Sequence, residues 1–336
     1  MHYEDTPEFW WEFAHALRRV VAGVAHELVP LLGAAGAEIV GTAHGDDIVS
    51  QTDAVASKAL RSGLGALGLP LALLDEEHGV LEPLSAATPV IGVIADELDG
   101  TRPFRMHCPT ACVSAAAWPA DAPATLQNVR CAVMVRLDTR EAYVMVRGSG
   151  LYSVDELVTR WQPLAPEQEP EEVPLQEARI YADNGVTCPA LHGLYMQPFQ
   201  PNIKMGMLSL ASICYGGALM LEHGVDALLH LSAREWEVWP EARPGLERIW
   251  GSMRGLQTYD IAALVPMLVA AGFTVTDAWG RPFGDLRIDK SGAGHAVRGL
   301  VAATNPALHA QVLAAIERQE ACLIAKRGCV RHVLFM

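Results

Sequence analysis

An apolar run that ends in an acidic turn constrains this chain more than any other feature. Residues 89–94 read Pro-Val-Ile-Gly-Val-Ile, and residues 96–101 read Asp-Glu-Leu-Asp-Gly-Thr. The apolar run predicts a buried strand, so Asp96 and Asp99 would lie close together at its carboxyl end. Two carboxylates in that position repel each other and are costly to desolvate unless a cation lies between them. The turn therefore predicts half of a magnesium site.

Length and composition predict two subdomains that share a cleft. The chain has 336 residues, of which 51% are hydrophobic, so it can bury one large core or two modest ones. Residues 1–160 are expected to form an α+β unit that carries most metal ligands, and 161–178 a connecting segment. Residues 179–336 are expected to form an α/β unit that carries Asp260 and a tryptophan- and arginine-rich insertion at 232–255.

Charge and cysteine content exclude several classes of protein. The formal net charge is -14 and no basic run is present, which argues against a nucleic-acid surface. Seven cysteines without zinc-like spacing indicate reduced core residues, and the acidic N-terminus does not look like a secretory signal. Residues 205–221 lack charge, but their glycines and serines favour a buried helix over a membrane span of about 20 apolar residues. We therefore expect a cytoplasmic protein without a membrane partner.

Apolar spacing and turn residues predict the main local elements. Thr6-Pro7 is typical of a helix start, and apolar residues then recur at helical spacing as far as Leu28. The remaining predictions are a helix at 53–67, a strand at 71–74, a hairpin over 131–146, a helix at 306–318 and a terminal apolar run at 330–335.

Acidic residues recur at helix starts and after strands. These residues are Asp53, Glu76 with Glu77, Asp96, Asp99 and Asp260. Oxygen ligands suit hard divalent cations, and the absence of paired histidines argues against zinc. A helix cap worth about 1 kcal/mol is the favoured reading of Asp53 or Asp260 taken alone. For Asp96 and Asp99 together, the metal-binding reading is favoured.

Three further motifs were weighed for catalysis or nucleotide binding. If a helix starts after Gly100, free backbone N–H groups there and at Thr101 would face an incoming phosphate; the alternative is an ordinary turn before a helix, and both can be true at once. Residues 63–68 match GxGxxG, but they follow a helix and precede a strand, the reverse of the order in a dinucleotide site. Ser149 lacks the strand-to-helix elbow of a serine hydrolase. His78 and His107 are interpreted as loop or outer residues of the site.

Four separated motifs together resemble the inositol monophosphatase family of magnesium-dependent, lithium-sensitive phosphatases. Its superfamily also includes fructose-1,6-bisphosphatase and bisphosphate nucleotidases. The first family signature, Asp-Pro-Leu/Ile-Asp-Gly-Thr, is similar to residues 96–101, in which Glu97 replaces the usual proline. The family's Thr-Asp and Glu-Glu elements are similar to residues 52–53 and 76–77, and its Trp-Asp-x-Ala-Ala signature is similar to residues 259–263.

The resemblance implies a fold and a reaction. The fold would be α/β (α+β), a layered αβαβα sandwich of the sugar-phosphatase type. The reaction would be Mg²⁺-dependent hydrolysis of a phosphate monoester on a small polyol or sugar, by in-line attack of water. Two or three Mg²⁺ ions are expected, with Mn²⁺ as a substitute and Li⁺ as an inhibitor. The partners would be a small phosphorylated metabolite and a second copy of the chain in a homodimer.

The resemblance also implies roles for individual residues. Glu76, Asp96 and the Leu98 carbonyl would hold one cation, and Asp96, Asp99 and Asp260 the other. Catalytic roles fall to Asp53, Thr101 and Glu76, with Thr101 oriented by Asp53 to position the attacking water. Gly100 and Thr101 would bind phosphate. The candidate substrate-binding residues are Arg102, Trp250, Met253 and Arg254.

Two rival hypotheses remain open at this point. A bisphosphatase acting on fructose 1,6-bisphosphate or a 3',5'-bisphosphonucleotide would need a further cationic pocket. Arg102, Arg105, Arg248 and Arg254 could build it, although surface ion pairs are an equally good reading. The other rival is a catalytically silent binding or regulatory protein of the same fold. A missing ligand would be its expected mark, yet the expected carboxylates and Thr101 are present.

Overall fold

The computed structural model describes most of the chain. It covers residues 2–42, 48–155, 159–164, 173–183, 189–242, 255–290 and 297–327. Several predicted features lie outside these described residues: Arg248, Trp250, Met253, Arg254 and the terminal run at 330–335. Their predicted roles stay predictions.

Two sheets and nine described helices form the framework. The strands are β1 (Ile39–Thr42), β2 (Ile48–Ser50), β3 (Leu71–Leu74), β4 (Glu82–Pro83), β5 (Ile91–Asp99), β6 (Cys112–Pro119), β7 (Cys131–Arg136), β8 (Glu141–Val146), β9 (Gly150–Asp155), β10 (Arg160–Pro163), β11 (Ile180–Asp183), β12 (Met207–Leu208), β13 (Ala227–His230), β14 (Thr274–Thr276) and β15 (Leu300–Ala303). The helices are α1 (Pro7–Leu28), α2 (Gln51–Gly65), α3 (Thr101–Arg105), α4 (Pro189–Tyr195), α5 (Ile213–Leu221), α6 (Ser232–Val238), α7 (Thr258–Ala262), α8 (Leu264–Ala270) and α9 (Pro306–Ala325).

The strand order differs between the two sheets. The 8-stranded sheet has the order β10-β9-β8-β7-β6-β5-β3-β4, and its β3 and β5 run parallel. The 5-stranded sheet has the order β12-β11-β13-β15-β14, and its β11 runs parallel to both β12 and β13. β1 and β2 form a separate antiparallel ribbon. The first sheet is thus built mainly from hairpin-connected strands, whereas crossover connections build part of the second.

Three apolar clusters show how the layers stack. α1 and α2 cover one face of the 8-stranded sheet, where Phe13, Leu17 and Leu60 pack on Val93 and Val133. α5, α7 and α8 lie between the two sheets and pack against both. α4, α6 and α9 cover the far face of the 5-stranded sheet. The alternation of helical and sheet layers confirms the predicted αβαβα sandwich.

Local predictions agree with the structure except near element ends. α1 begins as predicted, because the Thr6 hydroxyl accepts a hydrogen bond of 3.2 Å from the Phe9 N–H. α2 begins two residues before Asp53, since Ser50 takes the cap position. The buried helix expected at 205–221 is shorter, because residues 207–208 form an edge strand and the helix begins at Ile213. No helix among the described residues is both long and apolar enough to cross a membrane.

The change from one sheet to the other falls near the predicted connecting segment. The last strand of the 8-stranded sheet, β10, ends at Pro163, and the first strand of the 5-stranded sheet, β11, begins at Ile180. The opening residues of the 161–178 segment therefore belong to an edge strand. This strand pairs with β9 alone.

Candidate active site

Two parallel strands bring two acidic turns together. β3 and β5 are hydrogen-bonded in parallel, with Leu74 opposite Ile94. The carboxyl ends of parallel strands meet at the same edge of a sheet, so Glu76 and Asp96 leave it side by side. The Glu76 N–H donates to Glu97 Oε2 over 3.2 Å, which ties the two turns to each other. Residues 20 positions apart in the sequence thus become neighbours.

A β-bulge places two of the predicted ligands on one face. Asp96 pairs with Ser114 of β6 and Asp99 pairs with Cys112, so three steps along β5 oppose two along β6. Residues three apart in a regular strand point to opposite faces, and one extra residue corrects this. Asp99 faces α5 in the middle layer, whereas the Leu98 side chain packs in the outer core with α1 and α2.

The start of α5 holds Asp99. Asp99 Oδ2 accepts hydrogen bonds from Ser212 Oγ at 2.8 Å and from the Cys214 N–H at 2.6 Å. Burial raises the pKa of Asp99 to about 6, and these hydrogen bonds oppose that rise. Sequence analysis missed Ser212, whose only sequence signal is a serine directly before an apolar helix.

Asp260 enters the site from α7. It occupies the first turn of that short helix, where its Oδ2 accepts from the Gln257 N–H at 2.5 Å, so the helix-cap reading is correct. The Asp96 carboxyl lies close enough to Asp260 to affect its pKa, so the metal-site reading fits the same residue. Burial and then the charge of Asp99 raise the pKa of Asp260 to about 7. Two carboxylates can approach this closely only with a shared proton or a cation between them.

Glu76 and Asp96 complete the carboxylate set. Burial raises the pKa of both well above the usual range, and nearby negative charges raise it further. For Glu76 these charges include Glu97 and Asp260, and for Asp96 they include Glu76, Asp99 and Asp260. The four side chains predicted as ligands, Glu76, Asp96, Asp99 and Asp260, are therefore brought together from separate parts of the chain.

Asp53 and Thr101 are arranged differently from the expectation. Asp53 Oδ2 accepts from the Ser50 N–H at 2.7 Å, from Ser50 Oγ at 2.8 Å and from Arg105 Nη2 at 2.8 Å. Thr101 Oγ1 donates to the Leu98 carbonyl at 3.0 Å. Since a hydroxyl has one proton to donate, Thr101 is oriented here by Leu98 and not by Asp53. Asp53 acts as a helix cap and as the partner of Arg105.

Gly100 is required where it stands. It has a left-handed φ of 96°, and an added Cβ would lie 2.9 Å from Ser212 Cβ and 3.0 Å from the Thr110 carbonyl. A helix does begin at Thr101, as the phosphate-binding reading of this pair expects, although it spans only five residues. The tight turn keeps Asp99 next to the start of α5.

The ends of β11 and β13 border the same region. Asp183 and His230 are the paired last residues of these parallel strands, with His230 Nε2 3.7 Å from Asp183 Oδ2. Asp183 also lies within electrostatic range of Arg102, a predicted substrate-binding residue. Burial lowers the pKa of His230 to about 4, so its ring is neutral at pH 7. Sequence analysis missed both residues, although each ends a short apolar strand just as Asp96 does.

The two histidines near the site take modest roles. His78 Nδ1 lies 2.6 Å from Asp75 Oδ1, and Arg61 Nε donates to the other Asp75 oxygen at 2.8 Å. His107 is an exposed residue in the turn after α3, with a positive φ of 62°. Both agree with the expectation of loop or outer residues.

The donors fit a hard divalent cation. Six carboxylates (Glu76, Glu77, Asp96, Glu97, Asp99 and Asp260) each lie in electrostatic range of at least one of the others, and within the described parts of the chain none is in an ion pair with lysine or arginine. One buried oxygen, Glu97 Oε1, has no hydrogen-bond partner. Oxygen-only donors of this charge suit Mg²⁺ or Mn²⁺. As the described side chains stand, no three of them are arranged to hold a metal ion, so binding requires small side-chain rotations.

Solved structures share this architecture. An extragenic suppressor protein, SuhB, from Bartonella henselae superposes with a TM-score of 0.63 at 18% identity, covering 90% of this chain and 97% of that one. An IMPase from Thermotoga maritima gives 0.62 at 16% identity, covering 92% and 97%. A Pyrococcus horikoshii protein described as similar to inositol-1 monophosphatase gives 0.62 at 18% identity, covering 92% and 99%. No family model and no curated protein matches the sequence. At these identities the likeness concerns the fold, and the fold of this chain is that of the inositol monophosphatase family.

Proposed function

We propose that this protein is a Mg²⁺-dependent phosphatase that hydrolyses a phosphate monoester on a small polyol or sugar. One observation carries the proposal: Glu76, Asp96, Asp99 and Asp260 converge from separate segments of the chain, close enough for their negative charges to act on one another. The shared fold with structures named as inositol monophosphatases supports the same reaction class.

The chain holds these carboxylates in place with its own backbone. The Leu98 N–H donates to Asp96 Oδ1 at 3.0 Å, the Cys214 N–H donates to Asp99, and the Gln257 N–H donates to Asp260. Each contact comes from a strand turn or a helix start, so each of these three carboxylates is anchored at one of its oxygens. Bound Mg²⁺ would supply a water of lowered pKa and stabilise the departing oxygen during in-line displacement.

Thr101 and Gly100 are assigned to the phosphate side of the site. The Thr101 hydroxyl lies at the first residue of α3 and within hydrogen-bond distance of the Leu98 carbonyl, a predicted ligand. Gly100 permits the close approach between this turn and the start of α5. We infer that Thr101 orients the attacking water or a phosphate oxygen, and that Asp53 supports this from one step further away by holding Arg105.

The second sheet supplies groups that suit sugar hydroxyls. Asp183 accepts hydrogen bonds, and neutral His230 can both donate and accept, as hydroxyl recognition requires. A carboxylate at this place would repel a second phosphate group. Arg105, one of the arginines considered for a bisphosphate pocket, is already paired with Asp53. These contacts favour a monophosphate on a polyol or sugar over a bisphosphate.

Phosphate release from a panel of phosphorylated metabolites tests the proposal. Sugar and polyol monophosphates, fructose 1,6-bisphosphate and a 3',5'-bisphosphonucleotide are each incubated with the full chain in Mg²⁺ and in excess chelator. Mg²⁺-dependent release from a monophosphate is expected, with inhibition by Li⁺. Selective release from a bisphosphate would establish the first rival. No release from any compound, together with no Mg²⁺ binding by calorimetry, would establish the silent binding protein.

A further inference from the structure

Glu97 has a buried carboxylate that the predicted ligand set does not use. It lies within the bulge of β5, and only 3% of its surface is exposed. Its Oε2 accepts the Glu76 N–H at 3.2 Å, whereas its Oε1 is buried without a hydrogen-bond partner. Buried polar atoms are nearly always paired, because an unpaired one forfeits its hydration. The unpaired Glu97 Oε1 is therefore a candidate to bind a ligand.

The surroundings of Glu97 supply negative charge. Asp75 is the neighbouring charge with the strongest effect on it, and Glu77 adds to that effect. The Asp75 oxygens are already used by Arg61 and His78. Arg105, the other nearby arginine, is bound to Asp53. Among the described residues, no lysine or arginine forms an ion pair with Glu97.

The hydrogen bond to the Glu76 N–H restricts where the unpaired Oε1 of Glu97 can lie. One oxygen of the carboxylate is fixed at the backbone of Glu76, so the other is confined to the same edge of the sheet. Of the neighbouring negative charges, Glu97 has the strongest effect on the Glu76 carboxylate, which is itself a predicted ligand. Two acidic side chains within electrostatic range, one of them with a buried oxygen that lacks a hydrogen-bond partner, supply oxygen donors of the kind that divalent cations bind.

We propose that Glu97 is an additional cation ligand of this protein, with its Oε1 binding a divalent cation together with the carboxylate of Glu76. The proposal rests on the proposed function, since it assumes a cation site at Asp96 and its neighbours. It assigns a ligand at the position where the family signature usually has proline, which has no side-chain donor. Two divalent cations neutralise only four of the six unpaired carboxylates, so a further ligand and cation also improve the charge balance.

Cation titration of matched variants tests this assignment. Glu97→Gln keeps an oxygen that can accept the Glu76 N–H, but removes the charged donor. Glu77→Gln is the control, because it removes the same charge in the same field from a side chain that is only partly buried. Binding of Mn²⁺ and Mg²⁺ to the full-length chain is measured by calorimetry. Thermal unfolding is recorded with and without saturating Mg²⁺.

We expect the Glu97→Gln variant to bind one Mn²⁺ fewer per chain than the wild type, or to bind that ion at least tenfold more weakly. Its gain in unfolding temperature on adding Mg²⁺ should shrink accordingly, because a cation stabilises the folded chain only as far as it binds. The Glu77→Gln variant should keep wild-type stoichiometry. Crystals grown with Mn²⁺ should show an anomalous peak in direct contact with Glu97.

Three outcomes would overturn the assignment. Superimposable isotherms for wild type and Glu97→Gln would show that Glu97 binds nothing. Equal losses of cation binding in the Glu97→Gln and Glu77→Gln variants would show that Glu97 acts only through its charge and not as a ligand. Absence of any Mn²⁺ or Mg²⁺ binding by the wild type would overturn the proposed function as well, and this result is distinguishable from the other two.

Discussion

Two polar clusters of this protein hold acidic residues in opposite ways. Around Arg136, in the middle layer, the guanidinium donates to Asp138 over 2.9 and 2.6 Å and also pairs with Glu222. Tyr215 donates to Asp138, and Tyr143 donates to Glu222. Each acid there has a cationic partner from the chain itself. The six carboxylates of the candidate active site have none among the described residues.

The pKa shifts follow from that difference. Burial acts to raise the pKa of Asp138, but the hydrogen bonds and charge of Arg136 outweigh it and lower the pKa. Burial raises the pKa of Asp260 to about 7, and the charge of Asp99 adds to the rise. Where acids serve only the fold, the sequence thus supplies an arginine. Where they are left without one, the missing positive charge must come from solution, as a proton or as a metal cation.

Asp96→Asn should give the largest functional effect. Asp96 is the carboxylate that neighbours Glu76, Asp99 and Asp260, so its charge is needed by both predicted cations. We expect turnover to fall at least about 100-fold, since metal-assisted displacement loses its central ligand. The variant should fold, because asparagine has the same shape and removes charge from a repulsive cluster. Steady-state phosphate release and thermal unfolding measure the two effects.

The exposed Asp121 provides the control for this substitution. Asp121→Asn removes the same charge outside the site and should keep wild-type turnover. If Asp96→Asn retained more than a tenth of the wild-type rate, Asp96 would not be the shared ligand.

Arg136→Met should give the largest effect on stability. The substitution removes the buried guanidinium that binds Asp138 and Glu222, two acids that reach the surface, and losing hydrogen bonds between charged groups of this kind costs about 1–3 kcal/mol. Denaturant unfolding measures the loss. Arg105→Met is the comparison, because Arg105 is more exposed and its partner Asp53 keeps both Ser50 hydrogen bonds. A loss of unfolding free energy below about 1 kcal/mol for Arg136→Met would show that Arg136 does not stabilise the acids around it, and would contradict the contrast between the two clusters.

Much of the site followed from sequence because its signals are local. The apolar run before Asp96 indicated a cation site at Asp96 and Asp99, the family resemblance added Glu76 and Asp260, and the structure brings the four side chains together. The strand at residues 71–74 was predicted to the residue. Short-range patterns of this kind encode strand ends and helix starts directly.

The remaining features depend on contacts between distant residues. Whether Asp96 and Asp99 share a face depends on their pairing with β6, which the sequence of β5 does not reveal. Ser212 is 113 residues from Asp99, and no local pattern links them. The family resemblance predicted that Asp53 orients Thr101, but the Thr101 hydroxyl donates to the Leu98 carbonyl. Arg105, at the end of α3, took the place beside Asp53 that had been expected for Thr101.

The two clusters should also differ in how they affect the pH dependence of stability without metal, because the pKa values of Asp99 and Asp260 are raised and that of Asp138 is lowered. Asp99 and Asp260 have folded pKa values of about 6 and about 7, above the value near 3.9 of an unfolded aspartate. The folded state thus binds protons more tightly than the unfolded state, so this stability is complete below about pH 4 and is lost as the pH rises through 6 and 7. In chelator, the unfolding temperature should fall by roughly 5 °C between pH 5 and pH 8.

Two comparisons isolate the contribution of the site from the rest of the chain. The Asp260→Asn variant should show a shallower fall, because it cannot gain or lose the proton. Saturating Mg²⁺ should remove the fall, since the cation binds the deprotonated carboxylates and stabilises the folded state more at pH 8. A wild-type unfolding temperature in chelator that tracks Asp260→Asn at every pH would contradict the shifted pKa of Asp260.

Ser212→Ala should have the smallest effect on turnover and stability. It tests whether neutral hydrogen-bond donors hold Asp99 in a site that has no paired arginine among the described residues. Ser212 Oγ donates to Asp99 at 2.8 Å and accepts the Tyr215 N–H at 3.2 Å, so its loss removes a hydrogen bond to a carboxylate and a helix cap. We expect a loss of about 1–2 kcal/mol in unfolding free energy and a several-fold fall in turnover, because the Cys214 N–H still holds Asp99. Ser149→Ala is the control, because the exposed Ser149 lies outside the site and its substitution should leave both quantities near wild type. Equal effects of the two substitutions would mean that the Ser212 hydroxyl adds nothing to the positioning of Asp99, and that the Cys214 N–H and packing are sufficient.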